Sequence, residues 1–69
     1  MTYPENMKIL IEEFANMPGV GVRTAERFAF YCLTADPESI ERMATAIRKV
    51  NQEIRYCGQC FNLSEGELC

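Results

Sequence analysis

The sequence is 69 residues long, with 48% hydrophobic residues, 25% charged residues and a net charge of −3 at pH 7. A chain of this length forms one small domain at most, and its core alone gives marginal stability, so we expect a metal or a partner to contribute. The composition excludes a disordered protein, and without an apolar run of about 18 residues or a secretory signal the sequence predicts a cytoplasmic protein that does not enter a membrane.

The first predicted helix runs from Glu5 to about Asn16. Pro4 suits its first turn, and Pro18 ends it, because the residue before a proline is pushed out of the helical region. Its apolar stripe has helical spacing and consists of Met7, Leu10, Phe14 and Met17.

A second helix is predicted after Gly21 and a third from Pro37 to about Glu53. The second half of the second helix, FAFYCL, is apolar on every side, which is typical of a segment covered by another subunit. We therefore expect the helical part to self-associate and to bury Phe28, Phe30 and Tyr31 between subunits. The apolar stripe of the third helix consists of Ile40, Met43, Ala44, Ile47 and Val50.

The loop PGVG at 18–21 predicts a phosphate-binding site. Gly19 suits a positive φ and Gly21 leaves no side chain in the way, so backbone N–H groups stay open to a ligand, while Val20 points inward and anchors the loop. The helix that follows favours an anion at its N-terminus, and Arg23 and Arg27 share one of its faces. Segment 18–34 is also the only quarter of the chain with a net positive charge. The residues expected to bind phosphate are Gly19, Val20, Gly21, Arg23, Thr24 and Arg27.

A simpler interpretation of the same loop is a connector between two helices, because Pro and Gly are common in turns that bind nothing. Glu26 lies three residues after Arg23, and an ion pair between them would reduce the positive charge of this face.

The cysteines near the end of the chain indicate zinc. Cys57 and Cys60 form a C-x2-C pair and Cys69 follows, but tetrahedral zinc takes four ligands, so half of a second pair is missing. We expect these three thiols to bind zinc weakly or not at all in this chain, and the tail after about Tyr56 to be poorly ordered. A disulfide scaffold and a redox C-x2-C site are alternatives, and Cys32 is a core residue rather than a fourth ligand.

The run MPGVGVRTAERFAF resembles the helix-hairpin-helix element of DNA-binding proteins. Together with YPENMKILIEEFANMPG before it and RYCGQCFNLSEGELC after it, the chain resembles the N-terminal region of the RecR family of bacterial recombination mediators. Met17 stands where leucine is usual in the family. The family's hairpin residues are matched by Gly19, Gly21, Arg23, Thr24, Ala25 and Arg27.

The resemblance implies a fourth cysteine just past Cys69, a further Toprim-like domain in full-length relatives, and assembly into a ring-shaped clamp around DNA. It also implies the recombination proteins RecO and RecF as partners in the repair of gaps, and it implies no enzymatic activity.

The sequence therefore predicts an all-α fold, with a small three-helix domain containing a helix-hairpin-helix over 1–54 and a truncated start of a C4-type zinc module over 55–69. Its predicted function is DNA binding through the phosphate backbone, without sequence preference, as a homo-oligomer. The predicted zinc ligands are Cys57, Cys60 and Cys69. Three alternatives stay open: an oligomerisation module without DNA contact, an independent zinc-finger binder, and a protein-interaction domain that docks through Glu12 and Glu13.

Overall fold

The computed structural model describes residues 2–56 and 62–66. In these ranges it contains three helices and two short strands: α1 Glu5–Ala15, α2 Val22–Thr34, α3 Pro37–Glu53, β1 Arg55–Tyr56 and β2 Leu63–Ser64. The predicted mainly helical fold is confirmed, and the helix boundaries agree with the predicted ones to within one residue. None of the helices in the described ranges has the length and hydropathy needed to cross a membrane.

The chain divides into two compact units, Met1–Asp36 and Pro37–Cys69. The first unit contains α1, α2 and the loop between them, and the second contains α3 and the strands. The domain boundary after residue 54 stays a prediction.

The core of the first unit lies where α1 packs on α2. Ala25 and Ala29 have no exposed surface, and Ile11 from α1 is 9% exposed. The two alanines are four residues apart, so they share one helix face, and their short side chains let the helices approach closely. Partly buried residues around this centre are Tyr3, Met7, Leu10, Phe14, Ala15 and Val20.

Two aromatic contacts lie beside this core. Phe14 meets Phe28 edge to face with ring centroids 5.5 Å apart. Tyr3, just ahead of α1, meets Phe30 in the same manner at 6.0 Å. Edge-to-face geometry places the positive rim of one ring against the negative face of the other, so each pair stabilises the packing of its segment on α2.

The apolar stripes differ in part from the predicted ones. Met17 is 49% exposed, because α1 ends at Ala15 and the chain has already entered the loop. In its place Ile11 is the α1 residue that is buried most deeply.

The second unit contains α3 and a two-stranded antiparallel sheet. The stripe residues Met43, Ile47 and Val50 are exposed, and α3 has no buried residue. In the sheet, Arg55 pairs with Ser64 and Tyr56 with Leu63. The strands were not predicted, because two residues are too few to show the alternation by which a strand is recognised in a sequence.

The close packing at Ala29 gives a first prediction. Replacing Ala29 by Leu adds three carbons where α1 and α2 touch, and overpacking of this kind costs about 1–3 kcal/mol of unfolding free energy. Ala46→Leu is the matched control, because Ala46 is exposed on α3 and the helix propensities of Ala and Leu are similar. Urea unfolding measures both changes. Equal stability of the two variants would contradict the packing described here.

Candidate nucleic-acid interface

A tight loop joins α1 to α2. Three backbone hydrogen bonds close it: Asn16 N–H donates to the Glu12 carbonyl at 3.0 Å, Met17 N–H to that of Phe14 at 3.1 Å, and Val20 N–H to that of Met17 at 3.1 Å. These bonds fix the path of the backbone between the two helices.

The loop residues point in different directions, as the sequence predicted. Gly19 has φ of +77°, a left-handed conformation that glycine adopts without steric cost. Val20 is half-buried and packs against the core formed by Ile11, Ala25 and Ala29. Val20 therefore anchors the loop to the core from inside.

Gly21, unlike Gly19, has a backbone conformation that does not depend on glycine. Its φ of −85° and ψ of 177° suit any residue, and a Cβ atom built there would meet nothing within 4 Å. Neither the backbone conformation nor packing against the described residues therefore requires glycine at this position. The backbone at Gly21 is therefore exposed, with no side chain of its own to cover it.

The N-terminus of α2 follows Gly21 and has no side-chain cap. The first bond of the helix runs from the Ala25 N–H to the Gly21 carbonyl at 2.9 Å, so the N–H groups of the turn before it have no acceptor in the helix. The first turn of α2 also contains no acidic residue, whereas α1 has Glu5 and α3 has Glu38 there. These donors and the positive end of the helix dipole favour an anion.

Two arginines lie beside this helix end. Arg23 and Arg27 are four residues apart, so they share one face of α2, and both are exposed, Arg23 at 96% of its side chain. Thr24, the other predicted ligand on this turn, is half-buried. The structure therefore brings the predicted loop glycines, the helix end and the arginines into one stretch of surface.

Glu26 lies on the same face and differs from the arginines in charge. Its Oε1 is 3.6 Å from the Arg23 guanidinium, which is the ion pair that the sequence predicted. The Arg27 side chain, by contrast, makes no hydrogen bond or ion pair with the described residues, 2–56 and 62–66. The two arginines are therefore not equivalent.

Tyr3 is a neighbour of this surface that sequence reasoning missed. Its hydroxyl donates a hydrogen bond to Glu26 Oε2 at 2.7 Å. That bond, followed by desolvation and the charge of the carboxylate, raises the pKa of the Tyr3 phenol, and the nearby Arg23 opposes the rise. The residues are 23 positions apart in the chain, so no local pattern in the sequence links them.

The predicted zinc ligands Cys57, Cys60 and Cys69 lie outside the residues that the structure describes. Within the described ranges, no three potential metal-binding side chains come together. Cys32 is half-buried on α2 and has a free thiol, so it is partly covered rather than a fully buried core residue.

Two helices joined by a short glycine turn, with open amides where the second helix begins, define a helix-hairpin-helix protein. The family model for the RecR helix-hairpin-helix matches residues 7–50, and the model for the four-cysteine zinc finger domain of RecR matches residues 54–69. The chain belongs to the RecR family.

Several curated relatives carry the name recombination protein RecR. The chain is 45% identical to the protein from Frankia alni and 50% identical to one from Chloroflexus aurantiacus, in both cases over 87% of this chain. It is 43% identical to the protein from Paenarthrobacter aurescens over 97% of this chain. These alignments cover 30%, 29% and 34% of the respective relatives, so the chain corresponds to about a third of their length.

Proposed function

We propose that this chain binds the phosphate backbone of DNA through the loop at 18–21 and the first turns of α2. The observation that carries the proposal is the uncapped N-terminus of α2 behind Gly21, with Arg23 and Arg27 on the adjoining face. Backbone amides and the helix dipole would hold one phosphate, and the guanidinium groups would reach neighbouring phosphates. Thr24 would add a hydroxyl donor.

Binding of this kind does not read base sequence. Amides and arginines that contact phosphates position a protein on nucleic acid, whereas sequence is read from base edges in the grooves. A single hairpin would bind weakly, with a dissociation constant of about 10⁻⁴ M or higher at physiological salt, and joining several hairpins in one assembly would strengthen binding.

The proposed role of this binding is in recombination, the process for which the relatives are named, and in DNA repair, which the family resemblance implies. The chain would act as a DNA-binding domain and not as an enzyme. The proposed site would hold phosphate with backbone amides and guanidinium groups, and the sequence contains no histidine to act as a general base. A clamp around DNA, and RecO and RecF as partners, are further proposals that follow from the family resemblance.

The salt dependence of binding tests this proposal. With about two phosphates neutralised per hairpin, the logarithm of affinity should fall against the logarithm of salt concentration with a slope of about −2. Arg23→Ala and Arg27→Ala should each reduce the slope by about 1, equally for DNA of any sequence. Fluorescence anisotropy with labelled DNA at a series of salt concentrations measures the slope.

Gly21→Val separates a binding loop from a simple turn. The conformation of Gly21 suits valine, and a Cβ atom there would meet no described atom within 4 Å, so the variant should keep its helix content by circular dichroism. The valine side chain should block phosphate from the amides and abolish binding through the loop. If Gly21→Val and Arg23→Ala bound DNA as tightly as the parent at low salt, the loop would be only a connector.

Self-association through α2 is a second candidate function, supported by the exposed apolar surface of the helix. Among the described residues, Phe28 has a ring contact with Phe14 of α1 and Phe30 has one with Tyr3, yet both remain about 40% exposed. Tyr31 and Leu33 are 59% and 65% exposed. A second copy of the chain would remove this apolar surface from water.

Sedimentation tests self-association. The parent should form oligomers at high micromolar concentration, and Tyr31→Glu should weaken them at least tenfold, because a charge buried without a partner is unfavourable. Ile9→Glu is the control, since Ile9 is 50% exposed on α1 and lies outside the surface proposed to self-associate. A strictly monomeric parent would exclude this function and leave DNA binding by a single hairpin.

We also propose that Cys57, Cys60 and Cys69 bind zinc together with a fourth thiolate. The match to a zinc finger domain with four cysteines supports this, and a C-x2-C second pair would place the fourth thiolate three positions after Cys69.

Appending three residues that end in cysteine tests the ligand set. Zinc affinity should rise by orders of magnitude, because a closed four-thiolate site contributes on the order of 10 kcal/mol in small zinc modules. Cys57→Ser should abolish zinc binding in the extended chain, and Cys32→Ser should not change it. Native mass spectrometry reports zinc content. Tight binding of one zinc by the unextended chain, lost in Cys32→Ser, would instead identify Cys32 as the fourth ligand.

A further inference from the structure

Glu26 is the only acidic residue of α2, and it lies on the face proposed to bind phosphate. Its side chain is 22% exposed, and its two carboxylate oxygens have different partners. Oε2 accepts the hydrogen bond from the Tyr3 hydroxyl at 2.7 Å, and Oε1 faces the Arg23 guanidinium at 3.6 Å. A negative charge fixed at this place opposes phosphate binding, so its position calls for a physical explanation.

We propose that Glu26 acts on DNA binding through Arg23: its carboxylate competes with phosphate for the Arg23 guanidinium and so limits how strongly Arg23 binds phosphate. The Arg23 guanidinium cannot pair fully with the Glu26 carboxylate and with a phosphate at once. On DNA binding it therefore exchanges the carboxylate for a phosphate. The inference rests on the proposed DNA binding.

The surroundings of the pair decide which partner moves. Arg23 is 96% exposed, and no packing holds its side chain in place. Glu26 is largely covered and keeps the Tyr3 hydrogen bond when Arg23 leaves, while the Tyr3 ring is held against Phe30. Arg23 therefore swings to the phosphate while Glu26 stays, and its carboxylate is not left without a partner.

The same contacts make the two arginines unequal. Arg27 has no ion pair within the described part of the chain. Its positive charge is therefore available to a phosphate without competition from a carboxylate. Arg23 contributes less to the free energy of phosphate binding, because its exposed ion pair with Glu26 must be broken first. Glu26 thus sets the ratio between the contributions of two residues that look equivalent in the sequence.

A double-mutant cycle between Glu26 and Arg23 tests the proposal. Glutamine keeps the hydrogen-bond acceptor for Tyr3 and removes the charge, so Glu26→Gln should tighten binding to a labelled DNA duplex at low salt about two- to fivefold, the strength of an exposed ion pair. In the Arg23→Ala background the same substitution should change affinity by less than about 1.5-fold, because no Arg23 remains to be released.

Two further variants distinguish this exchange from a general effect of charge. In the Arg27→Ala background the gain from Glu26→Gln should persist, because Arg27 does not pair with Glu26. Glu13→Gln removes the same charge from an exposed position on α1, and its effect on affinity should be smaller than that of Glu26→Gln.

A titration without DNA checks the contact itself. The Tyr3 phenol, identified by comparison with Tyr3→Phe, should ionise above its ordinary pKa in the parent and at lower pH in Glu26→Gln, as followed by ultraviolet absorbance. An unchanged titration would show that Tyr3 and Glu26 do not meet in solution and would overturn the proposal.

The binding outcomes separate this inference from the function on which it rests. If no protein of the set bound DNA, the proposed function would fail and the inference with it. If the proteins bound DNA but the gain from Glu26→Gln were the same with and without Arg23, DNA binding would stand and the role of Glu26 would be overturned.

Discussion

The contact between α1 and the two buried alanines of α2 is the constraint on which the first unit depends. Ala25 and Ala29 are fully covered, and Ile11 packs against them from α1. Larger residues there would not fit between the helices at their present separation. The small side chains therefore determine how closely α2 packs on α1.

The same close approach determines what the loop and its neighbours can touch. It lets Val20 reach the core while Gly19 and Gly21 stay at the surface, and it brings Tyr3 and Phe14 within ring contact of α2. One short helix consequently presents three kinds of surface. Its alanines pack on α1, the face that carries Arg23 and Arg27 (the arginine face) adjoins the open helix end, and its last turns expose apolar side chains.

Much of this arrangement follows from local features of the sequence. Pro4, Pro18 and Pro37 mark helix ends because proline restricts its own φ and the residue before it, and Gly19 takes the positive φ that few other residues tolerate. The loop, the arginine face and the Arg23–Glu26 pair depend on residues close together in the chain, so spacing alone predicted them.

The features that spacing did not predict depend on contacts between distant residues. Ile11 was missed because several apolar stripes can be drawn on α1, and only the position of α2 decides which one is buried. Tyr3 was missed because its partners lie on another helix. The strand pair at 55–56 and 63–64 joins residues that carry no strand pattern of their own.

The position of Tyr3 has a practical consequence for work with this protein. Tyr3 lies ahead of α1, and its side chain contacts Glu26 and Phe30 on α2. A polypeptide fused at the start of the chain is therefore attached a short distance along the chain from Tyr3. A polyhistidine purification tag there would gain positive charge as the buffer falls below about pH 6.5, and it would add its own attraction for polyanions. Removing such a tag before measurement keeps the behaviour of the tag separate from that of the protein.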